Sequence, residues 1–392
     1  MVFNNEKLLN IRSMNIAWIG KRSPFCGNTV HSKEVIRRLE KRGYKVTFLH
    51  FFKNPLRIDN INELSFLYIE KMQAYTLISM WTPQVFFRTL YILSPNILHI
   101  ALALSPLDFF LPEFSNKLNI PVIGTLHSAF SLEFNNTNAY THYLLYKTYS
   151  NFIALYTKII VFSTLQRRLL LSLGVPPHKL LILPNSVNYF KYLPGKSRLK
   201  QAVKTQCIFL FFGRIAIEKN LYSLLKAWRV SSIAKHGKLL IVGSGPLEDI
   251  LMMDYKASHG IIWLGEVGDE FKRINILKNM QIVISSSDVE GLPLSLLEAM
   301  SCRLTCIFTN AGSNAEVISS YGGILIKTHE TINCLKILFP FLLKRNGFWH
   351  IVSHKSREIV IRRYSLFKCV RKLENLYSEV LLQHVFVKYR FI

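Results

Sequence analysis

Residues 281–300 read QIVISSSDVEGLPLSLLEAM, and they contain the clearest strand–loop–helix pattern of the chain. An apolar run ends in serines, a short polar loop carries Glu290 and Gly291, and an apolar helical pattern begins at Pro293. A strand, a tight loop and a helix in this order predict one unit of a parallel sheet. Proline suits the first helical position because its missing N–H would be unpaired there. We therefore predict a strand over 281–284 and a helix over 293–300.

The same alternation runs through almost the whole chain and predicts an α/β fold with two Rossmann-like, doubly wound domains that face each other across a cleft. In the first half we predict strands over 15–19, 46–51, 97–103, 121–126, 158–162 and 180–183, a helix over 29–41 and a long aromatic helical region over 64–93. In the second half we predict strands over 208–212, 238–242, 261–264, 281–284 and 305–308, and helices over 221–229, 293–300 and 355–372.

A polar, irregular stretch separates the two halves. It contains Pro194, Gly195 and Lys196, a composition typical of linkers. We predict an N-terminal domain over 1–190, a linker over 191–206, a C-terminal domain over 207–364, and a final helical segment over 365–392 that packs back on the domains.

Composition narrows the classes of protein. A chain of 392 residues with 50% hydrophobic residues can bury large cores, so it is not a disordered protein. Its formal charge of +25 suits partners that carry phosphate, such as a nucleotide, a nucleic acid or an anionic membrane. Residues 151–200 hold no acid, which predicts either a positive surface or a face kept soluble by charge. Its eight basic residues are Lys158, Arg167, Arg168, Lys179, Lys191, Lys196, Arg198 and Lys200.

Neither a metal centre nor a membrane span is expected. The six cysteines form no CxxC pair and no histidines cluster at ligand spacing, which argues against a zinc site or a disulfide framework. Residues 1–13 do not resemble a signal peptide. The uncharged apolar stretch 72–87 has 16 residues and is too short to cross a bilayer, for which about 20 are needed. We expect a soluble or peripheral protein in a reducing compartment.

Two carboxylates frame the loop and helix at 290–298. Backbone N–H groups near Leu292, together with the helix dipole, predict a diphosphate site at the start of the helix. Glu298, on that helix, can accept hydrogen bonds from a ribose diol. Glu290 and Gly291 precede it, where Glu290 can hold hydroxyls of a transferred sugar. The alternative is a plain helix start with a solvated Glu298.

A basic pair follows the strand at 208–212. Arg214 and Lys219, after Gly213, can stabilise the negative charge that develops on a departing nucleoside diphosphate. Arginine offers a planar fork and lysine a point charge, so the two are not interchangeable. A solvated loop is the alternative for such a pair.

Three further loops lie at predicted strand ends. Gly243 and Gly245 suit a tight turn beside a nucleotide, although the pattern lacks the third glycine of a dinucleotide fingerprint. Gly27 starts the first helix, where its N–H can meet a phosphate or an acceptor. His127 follows the strand at 121–126, from which an imidazole can touch a sugar hydroxyl; a structural histidine is the alternative.

Taken in order, these motifs resemble the retaining GT-B glycosyltransferases of family 4. They are Gly213-Arg214, Glu218-Lys219, Gly243-Ser-Gly-Pro246, Trp263-Leu-Gly265, and Glu290-Gly-Leu-Pro293 followed by Glu298-Ala-Met300. The resemblance departs at Asn185-Ser-Val-Asn188, where Asn-Gly-Val-Asp is usual, and at Gly312-Ser-Asn314, where Gly-Gly is usual.

The resemblance implies a hexosyltransferase that uses a UDP-sugar, or less often a GDP-sugar, without a metal or other cofactor. The donor binds the C-terminal domain and the acceptor the N-terminal domain. Arg214 and Lys219 stabilise the diphosphate, Glu290 contacts the donor hexose, and Glu298 binds the ribose.

A narrower resemblance covers residues 16–28, 104–108 and 260–265, which are similar to cyanobacterial and plastid digalactosyldiacylglycerol synthases. It implies galactose transfer from UDP-galactose to monogalactosyldiacylglycerol by a peripheral membrane protein of a plastid or a bacterial cytoplasm. The basic surface would meet anionic lipids. The aromatic side chains at 66, 68, 75, 81, 86 and 87 would meet the membrane or form a core.

Two rival functions stay open. One is a family-4 enzyme with a soluble or polysaccharide acceptor. The other is a nucleic-acid-binding protein, which rests on charge alone, because no recognised nucleic-acid-binding pattern is present and we expect no such partner.

Overall fold

The computed structural model describes residues 14–21, 27–52, 62–72, 75–78, 82–102, 107–130, 137–195, 207–318 and 321–390. The chain forms two compact units. The first unit comprises Met1–Ser128, Leu145–Leu183 and Phe367–Ile392, and the second comprises Ala129–Leu144 and Pro184–Leu366. Residues 196–206 of the predicted linker lie outside the described residues, and the predicted domain limits stay a prediction.

The first unit is built on an eight-stranded sheet in the order β4-β3-β2-β1-β5-β6-β7-β8, parallel except for the β3–β4 pair. Its strands are β1 Asn15–Gly20, β2 Lys45–Phe52, β3 Glu63–Met72, β4 Tyr75–Ile78, β5 Ile97–Leu102, β6 Val122–Leu126, β7 Lys158–Val161 and β8 Leu180–Ile182. The helices before residue 180 are α1 Gly27–Glu40, α2 Thr82–Leu93, α3 Leu107–Lys117, α4 Thr137–Ile153, whose first half belongs to the second unit, and α5 Thr164–Ser172. Strands β5 and β6 are buried along their whole length, as expected for a sheet covered on both faces.

The second unit has a six-stranded parallel sheet in the order β11-β10-β9-β12-β13-β14. Its strands are β9 Cys207–Phe212, β10 Gly237–Val242, β11 Ile261–Gly265, β12 Ile282–Ser285, β13 Thr305–Thr309 and β14 Ile324–Ile326. The helices from residue 221 onward are α6 Leu221–Val230, α7 Glu248–Asp254, α8 Glu270–Asn279, α9 Leu294–Ser301, α10 Asn314–Ile318, α11 Thr331–Lys344, α12 Asn346–Arg363 and α13 Leu366–Arg390. The strand order reverses between β9 and β12.

An aromatic cluster forms the centre of the second unit. Helix α6 buries Leu221, Leu224 and Trp228 at helical spacing, and its apolar face covers the sheet. The rings of Phe209, Trp228 and Phe339 meet edge to face, each pair 5.4 Å apart. Trp228 Nε1 donates to the carbonyl of His259 at 2.9 Å, so its polar atom is also satisfied. Each unit by itself confirms the predicted α/β fold class.

The prediction of one long helix over 64–93 is wrong. Among the residues of this segment that the structure describes, β3 and β4 occupy the first half and α2 is the only helix. Strand β3 extends the sheet by pairing with β2, from Phe48 with Glu63 to Phe52 with Leu67. This long-range pairing outweighs the helical periodicity of the segment. Phe66 and Phe86 are buried with their rings 5.2 Å apart, so these two aromatic side chains form core.

The predicted helix over 355–372 is also wrong in part, because it contains a break. Helix α12 ends at Arg363 and α13 begins at Leu366. Between them Val187 donates to the carbonyl of Tyr364 at 2.9 Å and accepts from the N–H of Leu366 at 3.1 Å. These two bonds replace helical ones and separate the helices.

Helix α13 packs on the first unit. Tyr377 is buried and its hydroxyl meets Nδ1 of His99 at 2.6 Å, while Nε2 of His99 meets the hydroxyl of Thr125 at 2.7 Å. Glu374 also forms an ion pair with Arg42 at 2.8 Å. In the part of the chain that the structure describes, no helix is long and apolar enough to span a membrane.

Candidate functional site

The candidate site of the second unit lies at the carboxyl ends of β9 and β12. These strands are neighbours in the sheet, and the strand order reverses between them. Ligands of doubly wound sheets bind at such a reversal, because the loops that follow the two strands turn to opposite faces and open a crevice. The loop after β9 carries Arg214 and Lys219, and the loop after β12 carries Glu290.

Several hydrogen bonds join the two loops. The N–H of Asp288 donates to the carbonyl of Glu218 at 2.9 Å, and Nδ2 of Asn220 donates to Oδ1 of Asp288 at 2.9 Å. The hydroxyl of Ser286 donates to the carbonyl of Asn220 at 2.9 Å. Asn220 has a left-handed backbone, with φ of 44°, which asparagine tolerates better than most residues. The loops therefore hold each other in position.

Lys219 and Glu290 form an ion pair at this junction. Lys219 Nζ lies 2.6 Å from Oε1 of Glu290, with side-chain exposures of 24% and 8%. The carbonyl of Glu290 accepts from the N–H of Phe130 at 3.1 Å, which fixes the main chain beneath the carboxylate. The pair presents a cation beside a carboxylate, both partly desolvated, where their fields are stronger than on an open surface.

Arg214 is arranged differently. Its guanidinium is 66% exposed and contacts Oε1 of Glu218. Burial raises the pKa of Glu218 and the contact with Arg214 lowers it, so that the net shift is downward. The structure thus places Arg214 on the same loop as Lys219 but pairs it with another acid.

The turn at Gly243 and Gly245 packs against the main chain of residues 213–215 near this site. Gly243 has φ of 135°, and a Cβ there would lie 1.9 Å from the carbonyl oxygen of Gly213. A Cβ on Gly245 would lie 2.2 Å from the carbonyl oxygen of Ile215. Both positions require glycine because the backbones are in direct contact. At Gly213 the nearest atom to an added Cβ is 4.0 Å away, so sterics do not require that glycine.

The loop at Gly291 and Leu292 is held through its carbonyl groups. The N–H of Ser313 donates to Gly291 at 3.0 Å, and Nδ2 of Asn185 donates to Leu292 at 2.7 Å. Gly312 has φ of 52°, and a Cβ there would lie 1.9 Å from the carbonyl oxygen of Glu290. Asn185-Ser-Val-Asn188 and Gly312-Ser-Asn314 depart from the usual family motifs. Both segments nevertheless contact this loop, through Asn185 in the first and through Gly312 and Ser313 in the second.

Helix α9 begins one residue later than predicted. Pro293 takes an extended conformation and caps the helix, which starts at Leu294. No side chain caps the first turn. Its N–H groups, with the positive end of the helix dipole, form an arrangement that favours an anion.

Glu298 is buried on α9. Its Oε1 accepts a hydrogen bond from the hydroxyl of Tyr192 at 2.8 Å. Burial raises the pKa of Glu298 to about 7, although the Tyr192 bond and the charge of Arg273 act in the opposite direction. The carboxyl group therefore titrates near neutral pH. Because Glu298 is buried, the alternative prediction of a solvated Glu298 is excluded.

Gly27 and His127 lie in the first unit, apart from the other nine predicted site residues. Gly27 is the first residue of α1, two residues before the predicted start of that helix at Thr29. The ring of His127 meets His31 at 5.9 Å and Phe162 at 4.9 Å, and its Nε2 is buried without a hydrogen-bond partner among the described residues. Burial first, and then the charges of His31, His99 and Lys21, hold its pKa well below the usual range. His127 is thus a neutral imidazole.

The predicted positive surface at 151–200 carries less free charge than its composition indicates. Lys158 pairs with Glu379 at 3.0 Å and Lys191 with Glu270 at 2.6 Å, while Lys179 Nζ donates to the carbonyl of Ala154 at 2.5 Å. Lys196, Arg198 and Lys200 lie outside the described residues.

Sequence reasoning missed Tyr192, Asn220, Asp288 and the bond of Phe130. Only the Asn220 cap before an apolar helix left a readable signal. The described residues contain no group of three or more histidine, cysteine or acidic side chains that could hold a metal ion.

Two family profiles match the chain in succession. Residues 27–189 match "Glycosyltransferase Family 4" and residues 196–345 match "Glycosyl transferases group 1". The chain belongs to the group 1 and family 4 glycosyltransferases of the GT-B superfamily. The predicted enzyme class, a hexosyltransferase, is thereby confirmed.

Individual relatives of this glycosyltransferase are distant. It is 26% identical over 273 residues to the Escherichia coli UDP-Gal:alpha-D-GlcNAc-diphosphoundecaprenol alpha-1,3-galactosyltransferase, covering 66% of this chain and 69% of that protein. It is 27% identical to the Bacillus anthracis N-acetyl-alpha-D-glucosaminyl L-malate synthase, over 45% of this chain and 47% of that protein, about half its length. The Anabaena protein HepE, solved with UDP and glucose, shares the fold with a TM-score of 0.74 at 14% identity, covering 93% and 100% of the two chains.

Proposed function

We propose that this glycosyltransferase moves galactose, with retention, from UDP-galactose to a membrane glycolipid and makes digalactosyldiacylglycerol from monogalactosyldiacylglycerol. The donor part is supported by the E. coli relative, named for UDP-Gal, and by HepE, solved with UDP and glucose. The observation that carries it is the Lys219–Glu290 pair at the reversal of the second sheet.

The chemistry proposed for this site is stabilisation of the leaving group. Lys219 and the first turn of α9 face the charge that grows on the diphosphate, and Arg214 can turn from Glu218 to add a second cation. Glu290 accepts hydrogen bonds from the hexose, and Glu298 accepts them from the ribose. We propose that these groups suffice without a metal ion.

The acceptor part is supported by the exposed face of α2. Val85, Tyr91 and Ile92 are 53%, 71% and 71% exposed, and Arg88 lies among them. The helix contains no acidic residue. Apolar and aromatic side chains around a cation suit the interface of an anionic membrane. We therefore propose a peripheral protein, in a plastid or a bacterial cytoplasm, and this face replaces the buried Phe66 and Phe86 as the membrane contact.

A matched pair of variants tests this surface. Ile92→Asn is expected to lower binding to vesicles of galactolipid and phosphatidylglycerol about tenfold, because it removes one apolar anchor. Ile337→Asn is the control, since Ile337 is 74% exposed on α11. Sedimentation with the vesicles measures both. Equal loss in the two variants, or no loss in either, contradicts the assignment of α2.

The acceptor is tested by supplying radiolabelled UDP-galactose with monogalactosyldiacylglycerol and, in parallel, with soluble sugars. We expect a labelled digalactosyl lipid, whose linkage mass spectrometry with methylation analysis identifies. A labelled soluble product alone favours the second candidate, transfer to a soluble or polysaccharide acceptor, for which the malate-synthase relative is the supporting observation. No labelled product with any acceptor overturns both.

A further inference from the structure

Tyr192 and Glu298 form a contact that the motifs do not contain. The two residues are 106 positions apart, and the hydroxyl of Tyr192 donates to Oε1 of Glu298 at 2.8 Å. Tyr192 is 5% exposed and Glu298 is 9% exposed. A buried carboxyl group needs donors, because an unsatisfied one costs several times the net gain of a hydrogen bond.

The main chain of Tyr192 is fixed to the same helix as its hydroxyl. Ser301 Oγ, on α9, donates to the carbonyl of Tyr192 at 2.9 Å. Arg357 Nη1 donates to that carbonyl at 2.9 Å and also contacts the carbonyl of Ser301. Tyr192 is thus bonded at both its main-chain carbonyl and its hydroxyl, and both bonds fix it to α9.

We infer that Tyr192 is a positioning residue of the nucleotide site: its hydroxyl holds one oxygen of Glu298, so that the other oxygen accepts from the ribose hydroxyls of a nucleoside diphosphate. This inference rests on the proposed function, because it takes Glu298 as the ribose contact. Held in one rotamer, the carboxylate loses less conformational entropy when the ribose binds. Phenylalanine fills the same space and lacks only the donor.

Calorimetric titration of the full chain with UDP and with 2′-deoxy-UDP tests the inference. The wild type is expected to prefer UDP, since the deoxy nucleotide lacks one hydroxyl of the diol. Tyr192→Phe is expected to lower the affinity for UDP about tenfold, which corresponds to the loss of one hydrogen bond to a charged group. It should weaken 2′-deoxy-UDP less, so the preference shrinks. Tyr255→Phe, in a tyrosine that is 2% exposed in the same unit, is the control and should leave both affinities unchanged.

A double-mutant comparison identifies the partner. In a Glu298→Ala background, Tyr192→Phe is expected to cause no further loss. If Glu298→Ala weakens UDP and Tyr192→Phe does not, the inference fails and the donor assignment stands. If neither variant weakens UDP binding, or if the wild type does not distinguish UDP from its deoxy form, the ribose role of Glu298 fails as well. Tighter UDP binding by Tyr192→Phe would mean that the hydroxyl competes with ribose, and overturns the inference.

The pH profile separates positioning from simple packing. The groups that face this carboxyl group are Tyr192, Lys191, Glu270, Arg273 and Cys302. Removing the Tyr192 donor raises the pKa of Glu298, so the preference for UDP over 2′-deoxy-UDP should disappear at a higher pH in the variant. The ratio of the two affinities cancels the titration of the phosphate that both nucleotides share. An unshifted profile contradicts positioning.

Discussion

Burial shifts the pKa of titratable groups in both units, downward for histidines in the first unit and upward for a glutamate in the second. In the first unit desolvation lowers the pKa of His31 to about 4 and of His99 to about 3, so both imidazoles are neutral. In the second unit burial raises the pKa of Glu298 to about 7, and the charged Lys219–Glu290 pair lies nearby. His31 and His99 therefore carry no charge at neutral pH, while the second unit holds the Lys219–Glu290 ion pair. A diphosphate suits the charged groups of the second unit.

The largest effect is expected from removing the cation of the second unit. Lys219→Ala should lower kcat/KM for sugar transfer about a thousandfold, roughly 4 kcal/mol, because the diphosphate loses a preorganised charge in its transition state. Steady-state kinetics with the donor and acceptor measure it. Lys327→Ala, at an exposed ion pair of the same unit, is the control and should retain activity. If kcat/KM of Lys219→Ala falls less than threefold, Lys219 does not stabilise the charge of the departing diphosphate.

The next effect concerns backbone contact in the two units. Gly312→Ala should lower the free energy of unfolding by about 3 kcal/mol, because φ is 52° and the added Cβ meets the carbonyl oxygen of Glu290. Gly174→Ala in the first unit has φ of 87° with nothing within 4 Å, so only the backbone penalty of about 1 kcal/mol applies. Urea denaturation compares them. Equal losses would remove the steric argument for the loop at Glu290.

The smallest effect is a difference in pH dependence. The unfolded form of each buried histidine binds protons below about pH 6.5, whereas the folded form does so only near pH 4 or 3. Their contribution to stability is full above pH 6.5 and is lost as pH falls, by about 2 kcal/mol per histidine at pH 5. Glu298 has the opposite sign, since its raised pKa gives stability that is full below about 4.5 and lost as pH rises through about 7.

Hydrogen exchange at pH 8 and pH 5, corrected for intrinsic exchange, locates the two effects. Protection of β1, β5 and β6 should decrease at pH 5, and protection of α9 should decrease less or increase. In His31→Phe the loss in the first unit should be smaller. The same change of protection in both units would contradict the opposite pKa shifts.

The sequence predicted most where function depends on local pattern. The strand, loop and helix at 281–300 can be predicted because local features mark them: an apolar run, a polar loop and a proline before an apolar helical pattern. Glu290 and Glu298 lie within ten residues of each other, so one motif contains both. Tyr192 was missed because its importance comes from a partner 106 positions away. The prediction of a helix over 64–93 was wrong for a related reason. The pairing of β3 with β2 is a long-range interaction, and the periodicity of the local sequence does not encode it.

The His99–Tyr377 contact has a consequence for synthesis on the ribosome. The two residues are 278 positions apart, so the first unit emerges from the exit tunnel long before α13 does. Until then Nδ1 of His99 lacks the hydroxyl of Tyr377, and the apolar face that α13 covers is open to solvent. The first unit can therefore complete its packing only after almost the whole chain has been synthesised, and until then its exposed apolar surface is prone to aggregation.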